Sequence, residues 1–355
     1  MFPKALMSTT TPSSWTPLTS MGLRMDGERL LLLDQRRLPD DERWVDATDP
    51  VVMEDCIRTL AVRGAPLLGV AAALCLGLLV RAGSTPQAFR EAAARLRAAR
   101  PTAVNLMAAI DRLTAAAPGD DLTSVDAVAM DVFVDDVARC DAMAAHGAAL
   151  IADGDGVITH CNTGGLATVG VGTALGVIRR AHEEGRRVHV YVDETRPLLQ
   201  GGRLTAWELR RLGIPHTLIT DSMAALILRD GRAQRVFVGS DRVARNGDFA
   251  NKVGTYALAV VAAHHRVPFH PVAPWTTVDL GCPDGAAIPI EQRDGDEVRG
   301  AAGSFGAVRW CPRETDAYNP SFDVTPASLV TSLVTDRGVF SADDLRRGAL
   351  AALDG

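Results

Sequence analysis

The chain has 355 residues, of which 47% are hydrophobic and 23% charged, with a formal net charge of −6. That length exceeds what one hydrophobic core usually serves, and the composition lies far from that of chains too polar to fold. The acidic balance argues against a protein that binds by neutralising many phosphates, so nucleic acid is not an expected partner; nor is a membrane, because the longest apolar run, Leu67 to Val80, is shorter than the roughly 20 residues that span a bilayer.

Residues 1–21 are rich in Ser, Thr and Pro and lack the apolar core of a secretory signal, which reads as a disordered extension. Six cysteines without a C-x-x-C pair suit a reducing, cytoplasmic compartment. Arg29–Gln35 reads as a short strand. From Pro50 to Ala116 the pattern is Ala- and Leu-rich helix, broken at Arg63–Pro66, Gly83–Pro86 and Arg100–Pro101, so 22–123 is expected to be a smaller, mainly helical N-terminal domain. After the polar stretch Ala117–Asp121, a long helical pattern from about Ser124 to Asp153 opens a second domain, 124–355.

Short β-branched runs then alternate with helices: Gly156–His160, Arg187–Val192, His216–Ile219, Arg235–Gly239 and Pro268–Ala273. Such alternation predicts an α/β fold with a parallel sheet covered on both faces, whose ligands bind beyond the carboxyl ends of the strands.

Residues 156–185 form the densest signal, a strand followed by a glycine-rich turn and a helix. Free N–H groups at the start of that helix would suit a phosphate. The spacing Gly170-x-Gly172-x-x-x-Gly176 departs from the dinucleotide fingerprint, so no nicotinamide cofactor is expected. Cys161 stands at the strand end before the glycines, either as one more buried thiol or as a reacting group beside an anion-binding turn. Asp241 follows the run RVFVGS, either as a turn-forming residue or as an acid. Asn251 and Lys252 precede another helix and fit either a solvated helix end or the recognition of hydroxyls and phosphate. Asp193, Glu194, Arg196, Gln200 and Arg203 crowd another strand end, and Arg63 and Arg100 each lead a turn between apolar helices.

Taken in order, RGAPLLG, RPTAVNL, THCNTGGLAT, DETRPLLQGGRLTAWEL, VGSDRVARNGDFANKVGTYALA and YNPSFDVTP resemble the methylthioribose-1-phosphate isomerase family, which shares a superfamily with the regulatory subunits of the eukaryotic translation-initiation guanine-nucleotide exchange factor. The resemblance runs from about Leu31 to Val339. It implies a Rossmann-like C-terminal domain, a homodimer, no metal or cofactor, and a step in methionine salvage. It places catalysis on Cys161 and Asp241, and substrate contacts on Arg63, Gly64, Ala65, Arg100, Gln200, Asn251 and Lys252. Gly165, Gly202, Ser240 and Trp275 depart from the family pattern, as does the stretch 301–320.

The chemistry asks for such groups. A sugar phosphorylated at C1 has no free aldehyde form, so the ring oxygen must be protonated while the phosphate is held, and hydrogen must then pass from C2 to C1. Two other readings stand beside this one. The same mechanism could serve 5-deoxyribose 1-phosphate or ribose 1,5-bisphosphate, or the chain could be a non-catalytic regulatory subunit that binds a sugar phosphate or nucleotide.

Overall fold

A computed structural model describes residues 18–100 and 103–353. Most of the expected N-terminal extension and the Pro101–Thr102 turn lie outside the described residues. Thr19 forms a bridge to Arg24, and the Ser20 N–H donates to the Leu23 carbonyl. This leads the chain into an antiparallel sheet of β1 (Leu23–Asp26), β2 (Arg29–Leu33) and β3 (Trp44–Asp46). Only β2 is visible in the sequence, because β1 and β3 are too short to establish a period.

Helices α1 (Pro50–Arg58), α2 (Ala65–Arg81), α3 (Pro86–Ala99), α4 (Val104–Ala115) and α5 (Val125–Ala148) follow. Proline opens α1 and α3, where its missing N–H costs no bond, and the side chains of Asp49 and Thr85 accept from their first turns. Helix α2 is apolar around most of its circumference and buried along most of its length. It forms the axis of a core that draws on β1, β2 and α1–α4 and on the first half of α5, through Phe133. The second half of α5 contributes Cys140, Met143 and Ala148 to a separate core, so one continuous helix joins the two.

Beyond α5 the chain alternates between strands and helices. It runs through β4 (Gly156–His160), α6 (Ala174–Glu183), β5 (His189–Asp193), α7 (Ala206–Leu212), β6 (His216–Ile219), α8 (Ala224–Arg229) and β7 (Arg235–Val238). A hairpin of β8 (Arg242–Ala244) and β9 (Phe249–Lys252) leads to α9 (Thr255–His264) and β10 (Phe269–Pro271). The fold is mixed α/β, centred on a parallel five-stranded sheet in the order β10-β7-β4-β5-β6. Alternate residues face opposite cores: Val157 and Phe237 belong to one, Ile158, Val236 and Val238 to the other. Burial on both faces explains why these strands read as continuous apolar runs.

Strand order reverses beside β4: the chain moves outward through β5 and β6, then returns to β7 on the other side. The carboxyl ends of β4 and β7 therefore flank the crevice where an open α/β sheet receives ligands.

Elements the sequence did not suggest complete that crevice. A second sheet places β8 and β9 between β11 (Val278–Asp279) and, past the hairpin β12 (Gly300–Gly303) and β13 (Gly306–Arg309), β14 (Phe322–Thr325). The hairpin of β15 (Ser332–Thr335) and β16 (Gly338–Ser341) lies beside the end of β10, where Val334 bridges Val272. Among the described residues no helix is long and apolar enough to cross a membrane.

Candidate active site

A cleft of about 670 Å³ opens at the switch point, and Cys161, Asp241, Arg63, Gly64, Ala65, Arg100, Gln200, Asn251 and Lys252 all line it. They converge from elements distant in the chain. Cys161 comes directly after β4, and Asp241 comes three residues after β7. The β8–β9 hairpin folds Asn251 and Lys252 back beside Asp241, whose N–H donates to the Ala250 carbonyl at 2.9 Å. Arg63, Gly64 and Ala65 enter from the start of α2, and Arg100 from the end of α3.

The approach of α2 depends on Gly64. Its φ of +94° is one that side chains rarely adopt, and a Cβ there would lie 2.5 Å from the Ala167 Cα. The Leu67 N–H then donates to the Ala167 carbonyl at 3.1 Å. The glycine turn is organised from beneath by Glu208 of α7, which is 1% exposed. Its carboxylate accepts from Asn162 Nδ2 (2.7 Å), Gly165 N–H (2.8 Å) and Leu166 N–H (3.2 Å). Asn162 in turn accepts two bonds from the Arg63 guanidinium, at its Oδ1 (2.8 Å) and its carbonyl (2.9 Å).

Cys161 is 7% exposed and has a φ of +65°. Its N–H donates to Thr195 Oγ1 at 2.8 Å, and its carbonyl accepts from Thr205 Oγ1 at 2.6 Å. The preceding His160 is buried, with Nδ1 3.0 Å from Asp193 Oδ2 and Nε2 2.9 Å from the Val253 carbonyl. A carbonyl only accepts, so Nε2 carries a proton and donates. Burial pushes the Asp193 carboxyl up to about 6, with His160 opposing. Burial also acts against protonation of His160, but the Asp193 bond and charge outweigh it and raise its pKa. His160, Asp193 and Asp221 have potential ligand atoms within 4.8 Å of one another. These atoms already serve the fold, because both Asp221 oxygens accept backbone N–H groups, from Thr195 and Arg196.

The opposite wall is governed by charge. Burial raises the pKa of half-buried Asp241, and the cations Lys252, Arg100 and Arg63 oppose the rise. Burial lowers the pKa of Lys252, against the pull of Cys161 and Asp241. Its ammonium lies 4.6 Å over the Phe322 ring and donates to the Ser321 carbonyl. Arg100 is likewise lowered by burial, with Asp241 and Glu291 opposing.

Arg203 and Gln200 line the cleft, whereas Asp193, Glu194 and Arg196 do not. Arg196 turns away, bonding the carbonyls of Pro197, Glu297, Val298 and Gly300 and stacking 4.6 Å over Trp310. In the first turn of α6, expected to offer N–H groups to an anion, the Leu175 N–H is already taken, donating to Thr163 Oγ1 at 3.1 Å. Of the positions that depart from the family pattern, Ser240 lines the cleft, as do Ala302, Gly303 and Ser304 of the stretch 301–320. Trp275 instead packs against Phe340 and Arg337.

Sequence reasoning singled out none of Asn162, Thr195, Thr205 and Glu208 as site residues. The clearest available signal was Glu208, a carboxylate inside the otherwise apolar TAWEL stretch.

A thiol, a carboxyl and several cations around a cleft at a sheet's switch point define an α/β protein suited to a small, hydroxylated, anionic ligand. Comparison with known proteins agrees. Residues 61–342 match the model of the Initiation factor 2 subunit family. Methylthioribose-1-phosphate isomerases from Klebsiella pneumoniae (strain 342) and Cronobacter sakazakii are each 52% identical, over 95% and 94% of this chain and 99% of theirs. Among solved structures, 5-methylthioribose 1-phosphate isomerase from Pyrococcus horikoshii superposes with a TM-score of 0.87 at 35% identity, covering 96% of this chain and 98% of its own. Subunit delta of translation initiation factor eIF-2B from A. fulgidus superposes at 0.79 with 39% identity, covering 91% and 96%. The chain belongs to the Initiation factor 2 subunit family, among its methylthioribose-1-phosphate isomerases.

Proposed function

We infer that the protein is an aldose–ketose isomerase that converts 5-methylthioribose 1-phosphate to 5-methylthioribulose 1-phosphate in methionine salvage. The observation that carries this reading is the pairing of Asp241 and Cys161 across a cleft lined by Arg63, Arg100 and Lys252, in a chain 52% identical to curated isomerases of that name.

In the proposed reaction the cations hold the phosphate, and Asp241, whose hold on a proton is strengthened by burial against the pull of the three cations, gives its proton to the ring oxygen as the bond from C1 to that oxygen breaks. Hydrogen passes from C2 to C1, the C2 hydroxyl gives its proton to the Asp241 carboxylate as a ketone forms at C2, and the acid is restored, so the atoms balance as an isomerisation. Cys161 either relays the proton at C2 or walls an apolar site in which hydride shifts directly. Gln200 and Asn251 take sugar hydroxyls, and Gly64 and Ala65 let the backbone approach the ligand.

Residues 22–123 form the helical domain in this reading, and 124–355 a Rossmann-like catalytic domain, with α5 as the strut common to both cores. The enzyme is expected to be a cytoplasmic homodimer, which light scattering of the purified protein tests.

Proton NMR of the purified protein with 5-methylthioribose 1-phosphate, beside the 5-deoxy and 5-phospho analogues and a Cys161→Ser control, tests the activity. The methylthio sugar should give its 2-ketose with the highest kcat/KM, and the control should lose it. Preference for an analogue would keep the mechanism and move the pathway. No turnover of any of the three would favour a binding subunit, as the resemblance to subunit delta of eIF-2B would then suggest.

A further inference from the structure

We propose that Thr195, which does not line the cleft, is the positioning residue that aims the Cys161 thiol, and that Asp221 holds Thr195 in place for that task. The inference deepens the reading of Cys161 given above and rests on it.

Cys161 and Thr195 both have a φ of +65°. The left-handed region is uncommon for any side chain, and for a β-branched residue it is a genuine outlier that persists only where the surroundings impose it. The surroundings here do so through hydrogen bonds. Asp221, in the turn after β6, accepts the Thr195 N–H at one carboxylate oxygen and the Arg196 N–H at the other, each at 2.7 Å. That pins the backbone on both sides of the Thr195 carbonyl.

The Thr195 hydroxyl has one proton, which goes to the Asp193 carbonyl at 3.0 Å. Its lone pairs are therefore directed back at the Cys161 N–H, which donates to them at 2.8 Å. Thr205 holds the other side of the same residue through the Cys161 carbonyl. With its N–H and its carbonyl both fixed, Cys161 has its Cα–Cβ bond directed by the protein rather than by its own preference. Thr195 is fully buried, so it acts through Cys161 and touches no substrate.

Misplacement of a reacting group by about 1 Å can cost on the order of 10²-fold in rate. Thr195→Val keeps the shape and removes the hydroxyl, so its kcat should fall about 10²-fold with KM within about threefold of wild type. Thr195→Ser retains the hydroxyl and should restore most of the rate. Asp221→Asn turns one acceptor into a donor facing an N–H, and should lose about tenfold in kcat. This second variant keeps the test open if the valine variant fails to fold.

A separate readout follows the thiol itself: the rate of Cys161 alkylation by iodoacetamide in the folded protein, assigned by peptide mass. It should change about tenfold in Thr195→Val and recover in Thr195→Ser. Cys161→Ser is assayed alongside. If that variant keeps full activity, the catalytic reading of Cys161 fails, and the alkylation rates alone decide whether Thr195 positions it. Wild-type kcat and wild-type alkylation in Thr195→Val, or a serine variant as impaired as the valine one, would overturn the proposal.

Discussion

The wall that carries Cys161 and the wall that carries Asp241 face the same cleft, yet they hold their side chains by different means. On the first, neutral hydroxyls and the Glu208 carboxylate bond the backbone of Cys161, Gly165 and Leu166 and the side chain of Asn162. On the second, buried Lys252 and half-buried Asp241 and Arg100 are ionisable groups whose charges offset one another. Hydrogen bonds fix direction, which a thiol reacting at one carbon requires. A field of opposed charges tunes proton affinity, which a general acid requires. The difference shows why substitutions on the two walls should fail in different ways.

The largest effect is expected from the charged wall. Asp241→Asn keeps the shape but removes the transferable proton, so kcat should fall about 10³-fold, which is about 4 kcal/mol of barrier. Thermal unfolding should show a folded protein. A variant retaining a tenth of wild-type kcat would remove Asp241 from the proton transfer.

A smaller effect should appear behind the hydrogen-bonded wall, where Asp136 of α5 accepts the Val169 N–H at 2.8 Å. Burial raises its carboxyl from 3.8 to about 6. The folded state therefore binds this proton more tightly than the unfolded chain does, and the stabilisation is complete below about pH 4 and lost as pH rises through about 6. Asp136→Asn cannot titrate. The stability of wild type relative to this variant should drop by about 2 kcal/mol between pH 4 and pH 7 in urea unfolding, and an unchanged difference between the two proteins at both pH values would contradict it.

The smallest effect sharpens the comparison directly. Glu208→Gln puts an amide N–H₂ against a set of donors, which loosens Asn162 and, through it, Arg63. We expect KM to rise about tenfold while kcat changes little, at a stability cost of about 1–3 kcal/mol. Inorganic phosphate should inhibit this variant less well than wild type. A fall in kcat with KM unchanged would mean that Glu208 serves the thiol rather than the phosphate clamp.

Much of this site was legible in the sequence, and the reason is topological. Once the alternation after Gly156 indicates a parallel sheet, the residue following each strand becomes a candidate, and Cys161 and Asp241 stand at two such ends. The breaks between helices likewise placed Arg63 and Arg100 on turns. The supports behind them were hidden. Lys252 is paired with Phe322 by β14, about 70 residues later in the chain, and β14 is a strand of four residues with no period to read. Thr195 and Thr205 look like ordinary residues in DETRPLLQGGRLTAWEL, and only their hydroxyl directions reveal a clamp.

The sequence by itself determined the secondary-structure alternation, the parallel sheet and the residue types available at its strand ends, because periodicity and turn chemistry are local. Tertiary structure alone decided that the ends of β4 and β7 would be neighbours, that α2 could enter beside them through Gly64, and that half-buried Asp241 would sit among cations. Each of these depends on groups distant in the chain meeting at a few ångströms. Burial and hydrogen-bond direction, which set proton affinity and aim, exist only once they have met.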